Sequence, residues 1–461
     1  MTANSIVGLR KNQWGFEGVK AVGVLTVALQ PSAAETFVIG DETYSFVASG
    51  ASADGEINVG ADVAAAKVNI VAAINGTDGW NHPNPAASAA AFVGDDCTIT
   101  ARRGGLASDS IVFTEAMVGA GNVMDGSGTL GGTTPGTDSK GTEVAATSQI
   151  ALEKLDWSDD DENLYQPKFA TGILARNRGA PTAVQHGTRF AFSDQPAVWE
   201  QLPHWLSMAV KGDVIPLFVG GAPDIYRWTF TRAPDANPNP HSVTLERRFG
   251  NGAGTNIDQH AAYAMLSQFS LKWAQNEHLR MSGSGFARKS STTAITASLS
   301  LPTPELGVSA LSTVYFDTTW GGVGGTLLAE QVIGWELMLG TGIIPRHTAE
   351  GRTDLDFTKY QINAEEVTVG IKLTCLMDPT IYAAQKVIAA AGTVQAVQVK
   401  VAGSGSRLLK LNAMMRHTKP ELFKIGEADG QDIVDMELWE APDSTNFFQA
   451  ILDHPSVYAL T

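Results

Sequence analysis

The densest run of potential metal ligands in the sequence is acidic and comprises Asp156, Asp159, Asp160, Asp161 and Glu162. Carboxylate oxygens of this kind bind divalent cations such as calcium. The run lacks the spaced glycine and the terminal glutamate of a calcium-binding loop. We therefore interpret it as a solvated turn rather than a cation site.

Two strings rich in glycine and serine, Ser282 to Gly285 and Gly403 to Ser406, have the composition of phosphate-binding loops. Neither is followed by Gly-Lys-Thr or Gly-Lys-Ser, and the strand-loop-helix context is missing. Ser284 has the wrong glycine spacing for the nucleophile elbow of a hydrolase. We predict turns at both strings, no catalytic residues, and a protein that is not an enzyme.

Histidine and cysteine show no metal-binding pattern. No two of the nine histidines stand four residues apart on one predicted helix with a glutamate between them. Cys97 and Cys375 lie far apart among apolar strand residues, which argues against a disulfide and fits a reducing compartment. The sequence therefore predicts neither a metal nor a cofactor.

Basic residues form no stripe of the kind that binds nucleic acid. Arg102-Arg103 and Arg247-Arg248 are among the densest basic spots, and the few aromatics near them favour a salt-bridging surface, at a subunit contact. The chain has 48 acidic and 32 basic residues, a formal net charge of −16. Such a field repels nucleic acid and anionic membranes.

The elements that carry these residues are mostly strands, and the clearest pattern runs from Gly334 to Gly403. It predicts strand, turn, strand, helix, strand, with period-two alternation over residues 367–375. Asp378 suits a helix N-cap, Pro379 suits the first helical position, and the apolar stripe that follows stops at Gly392. A long helix packed on a sheet is the expected unit.

The same order of signals occurs earlier in the chain. Residues 189–193 alternate as a strand, Asp194 opens a second capping signal, and residues 197–210 form an apolar-striped helix that Pro203 is expected to kink or split. Residues 282–293 are rich in glycine and serine and are expected to bridge the two copies. We infer a shared β/helix/β plan from this order, without a proven repeat.

A block of different composition, residues 19–137, precedes the first copy. Charge thins there, and alanine, glycine, threonine and valine dominate. A hairpin turn at Gly40-Asp41 and a helix over residues 61–75 that stops at Gly76 are the clearest elements. We predict a separate small α+β module with glycine-rich links.

Length and composition set the overall class. With 461 residues, 44% hydrophobic and 17% charged residues, and 47 glycines, we predict a mainly β protein of several domains. We divide it into an N-terminal arm (1–18), the inserted module (19–137), a first β domain (138–290) and a second (291–461), each β domain with sandwich- or barrel-forming sheets and a packed helix. No signal peptide or membrane span is visible, so we expect folding in the cytosol.

Several stretches resemble phage structural proteins. Residues 9–17 (LRKNQWGFE) and 143–147 (EVAAT) resemble two halves of one N-terminal segment of siphophage tail tube proteins, parted by an insertion. The insertion resembles a small module that recurs in phage structural proteins, most clearly at residues 35–47, 60–76 and 98–115. With two tube-like copies, the chain resembles the minority form in which a duplicated subunit makes a trimeric ring with pseudo-sixfold symmetry.

The resemblance implies a virion protein of the tail, assembled in the host cytoplasm, whose sheets join those of neighbouring copies into a continuous barrel around a channel. It implies a homotrimeric ring, with a homohexamer as the alternative. Rings would stack through loops and the N-terminal arm, the module would lie outside, and neck or terminator, tail-tip and tape measure proteins would be partners. DNA would pass without specific binding, so we expect carboxylates to outnumber lysine and arginine on the inner wall. The acidic run would then be a lumen loop.

The alternative from another class is a phage-associated carbohydrate-binding or adhesion protein. Its inserted module would then present exposed aromatics such as Trp80, which precedes His82-Pro83. Stacked rings of purified protein favour the tail tube, whereas a monomer that binds glycans favours the alternative.

Overall fold

The fold is mainly β, as the sequence predicts. A computed structural model describes residues 11–126, 128–164, 182–212, 214–221, 223–250, 256–301, 303–306, 312–328, 331–348, 354–417, 424–428, 430–443 and 445–456. Strands make up 49% and helices 11%, and nearly all strand pairs are antiparallel. No sheet closes on itself within these residues. None of their helices is long and apolar enough to cross a membrane.

The strands fall into three groups along the chain. The arm and module contain β1 Lys11–Phe16, β2 Lys20–Thr26, β3 Thr36–Ile39, β4 Glu42–Val47, β5 Glu56–Asn58, β6 Ala87–Ala89, β7 Asp96–Gly104, β8 Phe113–Ala116 and β9 Val123–Met124. The next part contains β10 Ser148–Gln149, β11 Asp156–Asp159, β12 Glu162–Leu164, β13 Thr182–Gln185, β14 Thr188–Pro196, β15 Leu217–Phe218, β16 Tyr226–Arg232, β17 Val243–Gly250, β18 Asn256–Ala274 and β19 Arg280–Ala287. The last part contains β20 Ser312–Asp317, β21 Val332–Arg346, β22 Lys359–Leu376, β23 Gln395–Ala402, β24 Leu408–His417, β25 Lys424–Ala428, β26 Gln431–Glu440 and β27 Phe448–His454.

Three α-helices occur in the described residues, α1 Val63–Asn75, α2 Leu202–Ala209 and α3 Pro379–Ala391. The Asp62 side chain accepts a hydrogen bond from the first turn of α1, and Gly76 ends that helix in the left-handed conformation with φ 64°. Asp378 and Gly392 do the same for α3. The helix ending at Gly76 and the helix between Asp378 and Gly392 were predicted and are confirmed, whereas the Asp62 cap was not predicted.

The predicted cap of α2 is wrong, because Asp194–Pro196 is the end of β14 and pairs through Gln195 and Pro196 with β19. Residues 197–201 turn before the helix begins. Pro203 then falls in the first turn, where its missing N–H group is not needed, so it neither kinks nor splits α2.

Eight strands form the main sheet in the order β11-β14-β19-β18-β21-β22-β26-β25, with antiparallel neighbours throughout. The first four come from residues 156–287 and the last four from residues 332–440. In the first half, the pair β11-β14 precedes α2, and the later hairpin β18-β19 places β19 beside β14. In the second half, the pair β21-β22 precedes α3, and the later hairpin β25-β26 places β26 beside β22. The two halves therefore have the same strand order and lie head to tail.

A second layer packs against the apolar side of this sheet. Its strand order is β15-β16-β27-β24-β23-β20. A further ladder, β10-β1-β17, joins the first part of β18. One hydrophobic core contains buried side chains from both halves, among them Phe190, Leu271, Ile371 and Leu438. The two predicted β domains therefore share a single core.

The module has a core of its own, as expected for an inserted α+β unit. Its sheets are β6-β7-β2-β9 and β5-β4-β3-β8. They enclose buried Phe37, Phe46 and Ile70. Val19 and Thr137 exchange two backbone hydrogen bonds of 2.8 and 3.2 Å, so the chain enters and leaves the module at one point.

Candidate subunit interface

The main sheet ends at two strands that each have one neighbour among the described residues. β11 pairs with β14 and β25 pairs with β26, and no second pairing involves either strand in the described part of the chain. Open edges of this kind present unpaired N–H and C=O groups and pair readily with another strand. Ile425 on β25 lies on the apolar side of the sheet, opposite the buried Val434, yet it is 57% exposed.

The sheet already contains one junction between the halves. β18, at the end of the first half, pairs antiparallel with β21, at the start of the second. Seven residue pairs form this ladder, and Leu271 lies opposite Leu337 on the core side, where both are buried. Repetition of the same junction between two copies would join β25 of one to β11 of the next.

The register of that second junction follows from matching the two halves. The β14–β19 ladder and the β22–β26 ladder each end one residue after a core-facing pair, which is Gln195 opposite Met281 in the first and Cys375 opposite Val434 in the second. Residues are counted from these ends along β19 and β26, because the β14 ladder has an irregularity between Phe192 and Gln195. This makes β25 equivalent to β18 and β11 equivalent to β21. Ile425 then corresponds to Leu271, and Trp157 corresponds to Leu337.

This register places apolar side chains opposite each other. Trp157 packs against the core shared by the two halves, which together with strand β1 form the body of the protein. Its indole nitrogen is buried without a hydrogen-bond partner, and the Arg247 guanidinium lies 5.0 Å from its ring centre. Ile425 of another copy would cover the same side of the sheet. Aromatic and β-branched residues opposite each other on neighbouring strands stabilise a sheet.

The polar side of the main sheet carries charges of both signs. One row across five strands reads Arg280, Lys272, Glu336, Lys372 and Glu437 in register. One adjacent row reads Ser282, Ser270, Met338, Gly370 and Trp439. The charged row has three cations and two carboxylates, so it has no excess of carboxylates.

The acidic run is not a solvated turn, because Asp156–Asp159 is strand β11. The carboxylates beyond it have local partners. Asp160 contacts the Arg189 guanidinium at 2.7 Å, and Asp161 contacts the His186 ring at 2.7 Å. Pairing with β14 outweighs the local preference of a charged run for a turn, as expected where tertiary context decides strand formation.

The two glycine-rich strings have different structures. Ser282–Gly285 lies inside β19, so the predictions of a turn and of a bridge between copies are wrong there. A side chain at Gly283 or Gly285 would meet the Phe192 or Phe190 ring at 2.6 Å, and glycine is needed so that these rings can cross the strand. Residues 403–406 form the predicted turn between β23 and β24.

The paired arginines differ in the contacts they make. Arg248 forms a two-bonded ion pair with Asp258 at 2.7 Å, as predicted. Arg102 is buried and donates from Nε to the Asn84 carbonyl at 2.6 Å, whereas Arg103 donates to the Val214 carbonyl at 3.1 Å. The Arg102-Arg103 pair therefore bonds to backbone carbonyls, one within the module and one in the body.

The N-terminal arm is built into the body. Trp14 is fully buried, and its ring centre lies 4.6 Å from that of Trp205 on α2. The Glu17 carboxylate accepts hydrogen bonds from Ser242, Thr244, Gly141 and Tyr263. Burial outweighs these bonds and raises the pKa of Glu17. Residues 11–17 thus belong to the folded core.

The module docks on the body through His82, a residue that the sequence did not single out. Its ring stacks on Phe218 with centres 3.5 Å apart and planes at 10°. Its Nδ1 lies 2.7 Å from Asp54 Oδ1, and its Nε2 lies 3.2 Å from Glu42 Oε1. Tyr226 adds a hydrogen bond to the Pro83 carbonyl at 3.1 Å.

Glu42, Asp54 and His82 are close enough to be ligands of one metal ion, but the geometry favours an ion-paired imidazolium. The two carboxylates approach opposite nitrogens of the same ring, and one ion can take only one of those nitrogens. Burial opposes protonation of His82, but the hydrogen bonds and charges of Glu42 and Asp54 outweigh it and raise its pKa. The trio is therefore an ion-paired cluster within the module whose His82 ring stacks on Phe218.

The stabilisation that the His82 ion pairs give should weaken as the pH rises. Because the folded-state pKa of His82 is raised, its ion pairs stabilise fully below the unfolded value of about 6.5 and are lost as pH passes the higher folded value. Wild type should therefore exceed His82→Gln in melting temperature by more at about pH 5.5 than at about pH 8.5. His278→Gln, which removes an exposed histidine, is the control. An equal difference at both pH values contradicts this assignment.

The loop before His82 does not display Trp80 as an exposed platform. The Trp80 ring is half-buried, and its indole nitrogen donates to the Glu56 carbonyl at 3.0 Å. Stacking on a sugar needs a free aromatic face. No observation in the described residues favours the carbohydrate-binding alternative.

Together these features define a class of protein, a mainly β two-layer body with two complementary open edges and a docked α+β module. Comparison with protein-family models gave no match, and a search of curated proteins gave none either.

Proposed function

We propose that this protein is the major tail tube subunit of a long-tailed bacteriophage, a structural protein that assembles into stacked rings around a channel for DNA. One observation carries the proposal, the head-to-tail order of the two halves in a single sheet. Heterologous contacts of this kind generate closed rings when the rotation closes. The resemblance of residues 9–17 and 143–147 to tail tube proteins supports the same function.

Three copies are the favoured ring. Each chain would contribute two equivalent four-stranded units, so three chains would give pseudo-sixfold symmetry. A homohexamer is the alternative. Neck or terminator, tail-tip and tape measure proteins are the further partners in this proposal, and DNA is in transit only.

An acidic lumen remains a prediction. In the proposed ring, the polar side of the main sheet lines the channel, and its central charged row has three cations and two carboxylates. An excess of carboxylates must then come from strand ends and loops such as Asp159–Asp161. An assembled tube with a basic lumen would contradict it.

A cysteine pair tests the proposed junction directly. The register places Asp156 opposite Gly426 of the next copy, so Asp156→Cys/Gly426→Cys should form disulfides between subunits when assembled material is oxidised. We expect covalent dimers and closed trimers on a denaturing gel, and rings by electron microscopy. Asp156→Cys with Val93→Cys, whose second cysteine lies in the module, should not cross-link. Tubes of the first variant without cross-links would falsify this junction.

Removal of the module should leave ring formation intact. Because Val19 and Thr137 are bonded to each other, deletion of residues 21–136 rejoins the chain across a short distance. The deletion exposes Phe218 and Ile215, which contact the module, so a second version carries Phe218→Ser to limit aggregation. Negative-stain microscopy should show rings for at least the second version. Folded but unassembled protein would assign the module a role in the ring.

A further inference from the structure

A cavity of about 870 Å³ opens where the end of β16 approaches β21 and β22. Its lining is largely aromatic and aliphatic and includes Tyr263, Tyr360, Ile362, Val367 and Phe447. Pockets that hold small ligands have this volume, with mostly apolar walls and few polar groups. The candidate subunit interface uses none of these five side chains.

The main cationic group in this cavity is Arg232, the last residue of β16. Its side chain is only 7% exposed. Its Nη2 donates to the Thr341 carbonyl at 2.8 Å, and the guanidinium forms no ion pair with any described carboxylate. Burial lowers the pKa of Arg232 to about 10, so it stays protonated at neutral pH.

A buried guanidinium without an anion is costly, because burial removes the water that would solvate its charge. Arg232 has five N–H donors, and one of them is used by Thr341. Two carboxylates, Asp235 and Glu440, also line the cavity. Asp235 is exposed, and the Glu440 carboxylate accepts from the Val369 N–H at 3.0 Å. The remaining donors of Arg232 face the cavity and are available to a carboxylate from outside the described fold.

The wall of the cavity also contains a strained residue. Tyr263 has φ 59°, a conformation that is uncommon for a residue other than glycine. The Glu17 carboxylate accepts from its N–H at 2.7 Å and holds the backbone in place. Strained backbone of this kind is concentrated at binding sites.

We propose that this cavity binds a ligand with a carboxylate on a flat apolar group. Arg232 holds the carboxylate, and Tyr360 and Phe447 contact the apolar group. A planar guanidinium can donate two parallel bonds to a carboxylate, which fixes the orientation of the ligand. The ligand is a small aromatic acid, whereas an acidic side chain of a second copy would bring the carboxylate without the flat apolar group and is a separate outcome of the test. The proposal stands independently of ring assembly.

Fluorine NMR with para-fluorobenzoate tests the site on the full-length chain. The neutral para-fluorobenzamide has almost the same shape and is the matched probe. We expect saturable binding of the acid at least about tenfold tighter than the amide, because only the acid forms the charge-assisted pair. Equal affinity for the two probes, or no saturable binding of the acid, overturns the proposal.

Variants then locate the effect. Arg232→Met should abolish the preference for the acid, and Arg232→Lys should retain part of it. Arg189→Met removes an exposed guanidinium and should leave binding unchanged. If Arg232→Met fails to fold, the comparison of acid and amide on wild type still decides. Unaltered binding by folded Arg232→Met excludes this site.

The state of assembly distinguishes the two sources. If a second copy supplies the carboxylate, the acid binds the unassembled chain and is excluded from rings or tubes. If the natural ligand is a small molecule, the acid binds both forms with similar affinity. Either result supports carboxylate recognition and identifies its source.

Discussion

Ile425→Asp will prevent rings and tubes while leaving the subunit folded. A carboxylate on an edge strand opposes pairing with another strand, because the next copy would have to bury the charge against Trp157. Ile425 is 57% exposed in the single chain, and substitutions at such positions change the free energy of unfolding by about 0.5 kcal/mol or less. Electron microscopy and analytical ultracentrifugation should show monomers with the melting temperature of wild type.

Val93→Asp is the matched control for this variant. Val93 is 82% exposed and lies in the module, away from both edges of the main sheet. The same chemical change there should leave assembly at the wild-type level. Tubes of normal length from Ile425→Asp would show that β25 is not an assembly edge.

Local signals in the sequence predicted the elements whose boundaries depend on neighbouring residues. α1 and α3 begin at Asp62 and Asp378 and end at Gly76 and Gly392, and each cap is satisfied within its own turn. Alternation over residues 367–375 likewise predicted the C-terminal half of β22. In these places the hydrophobic period and the caps agree with the tertiary fold.

Where tertiary pairing overrides composition, the predictions failed. Asp156–Asp159 reads as a charged turn and Ser282–Gly285 as a flexible link, yet both are strands in the main sheet. Asp194 reads as a helix cap but lies in β14. The β14–β19 ladder has an irregularity after Phe192 and resumes at Gln195, so β14 continues past Asp194. The signals that decide these segments come from residues about 30 to 90 positions away.

The candidate sites were still less accessible to sequence reasoning. Glu42, Asp54 and His82 come from separate elements of the module, and none of them has a diagnostic spacing. Arg232 is the last residue of the aromatic-rich strand β16. That its guanidinium is buried without an ion pair is visible only when burial and partners are known. The edges β11 and β25 are defined by absent neighbours among the described residues, which one chain's hydrophobic pattern does not encode.

The arm supplies the remaining large effect, because its strand β1 completes the body. Trp14 is fully buried among Trp205, His204 and Phe16. Residues 11–16 are therefore part of the folded core. Removal of the indole leaves a large cavity beside α2 that the surrounding strands cannot fill.

Trp14→Ala should therefore destabilise the body by about 3–5 kcal/mol, a large part of the stability of a typical domain. Trp14→Phe keeps most of the packed volume and should lose clearly less. Thermal unfolding followed by near-ultraviolet circular dichroism should show an earlier body transition, with the module transition nearly unchanged because its core is separate. If the alanine variant melts like wild type, β1 is not part of the body core, and the arm is free to act between rings.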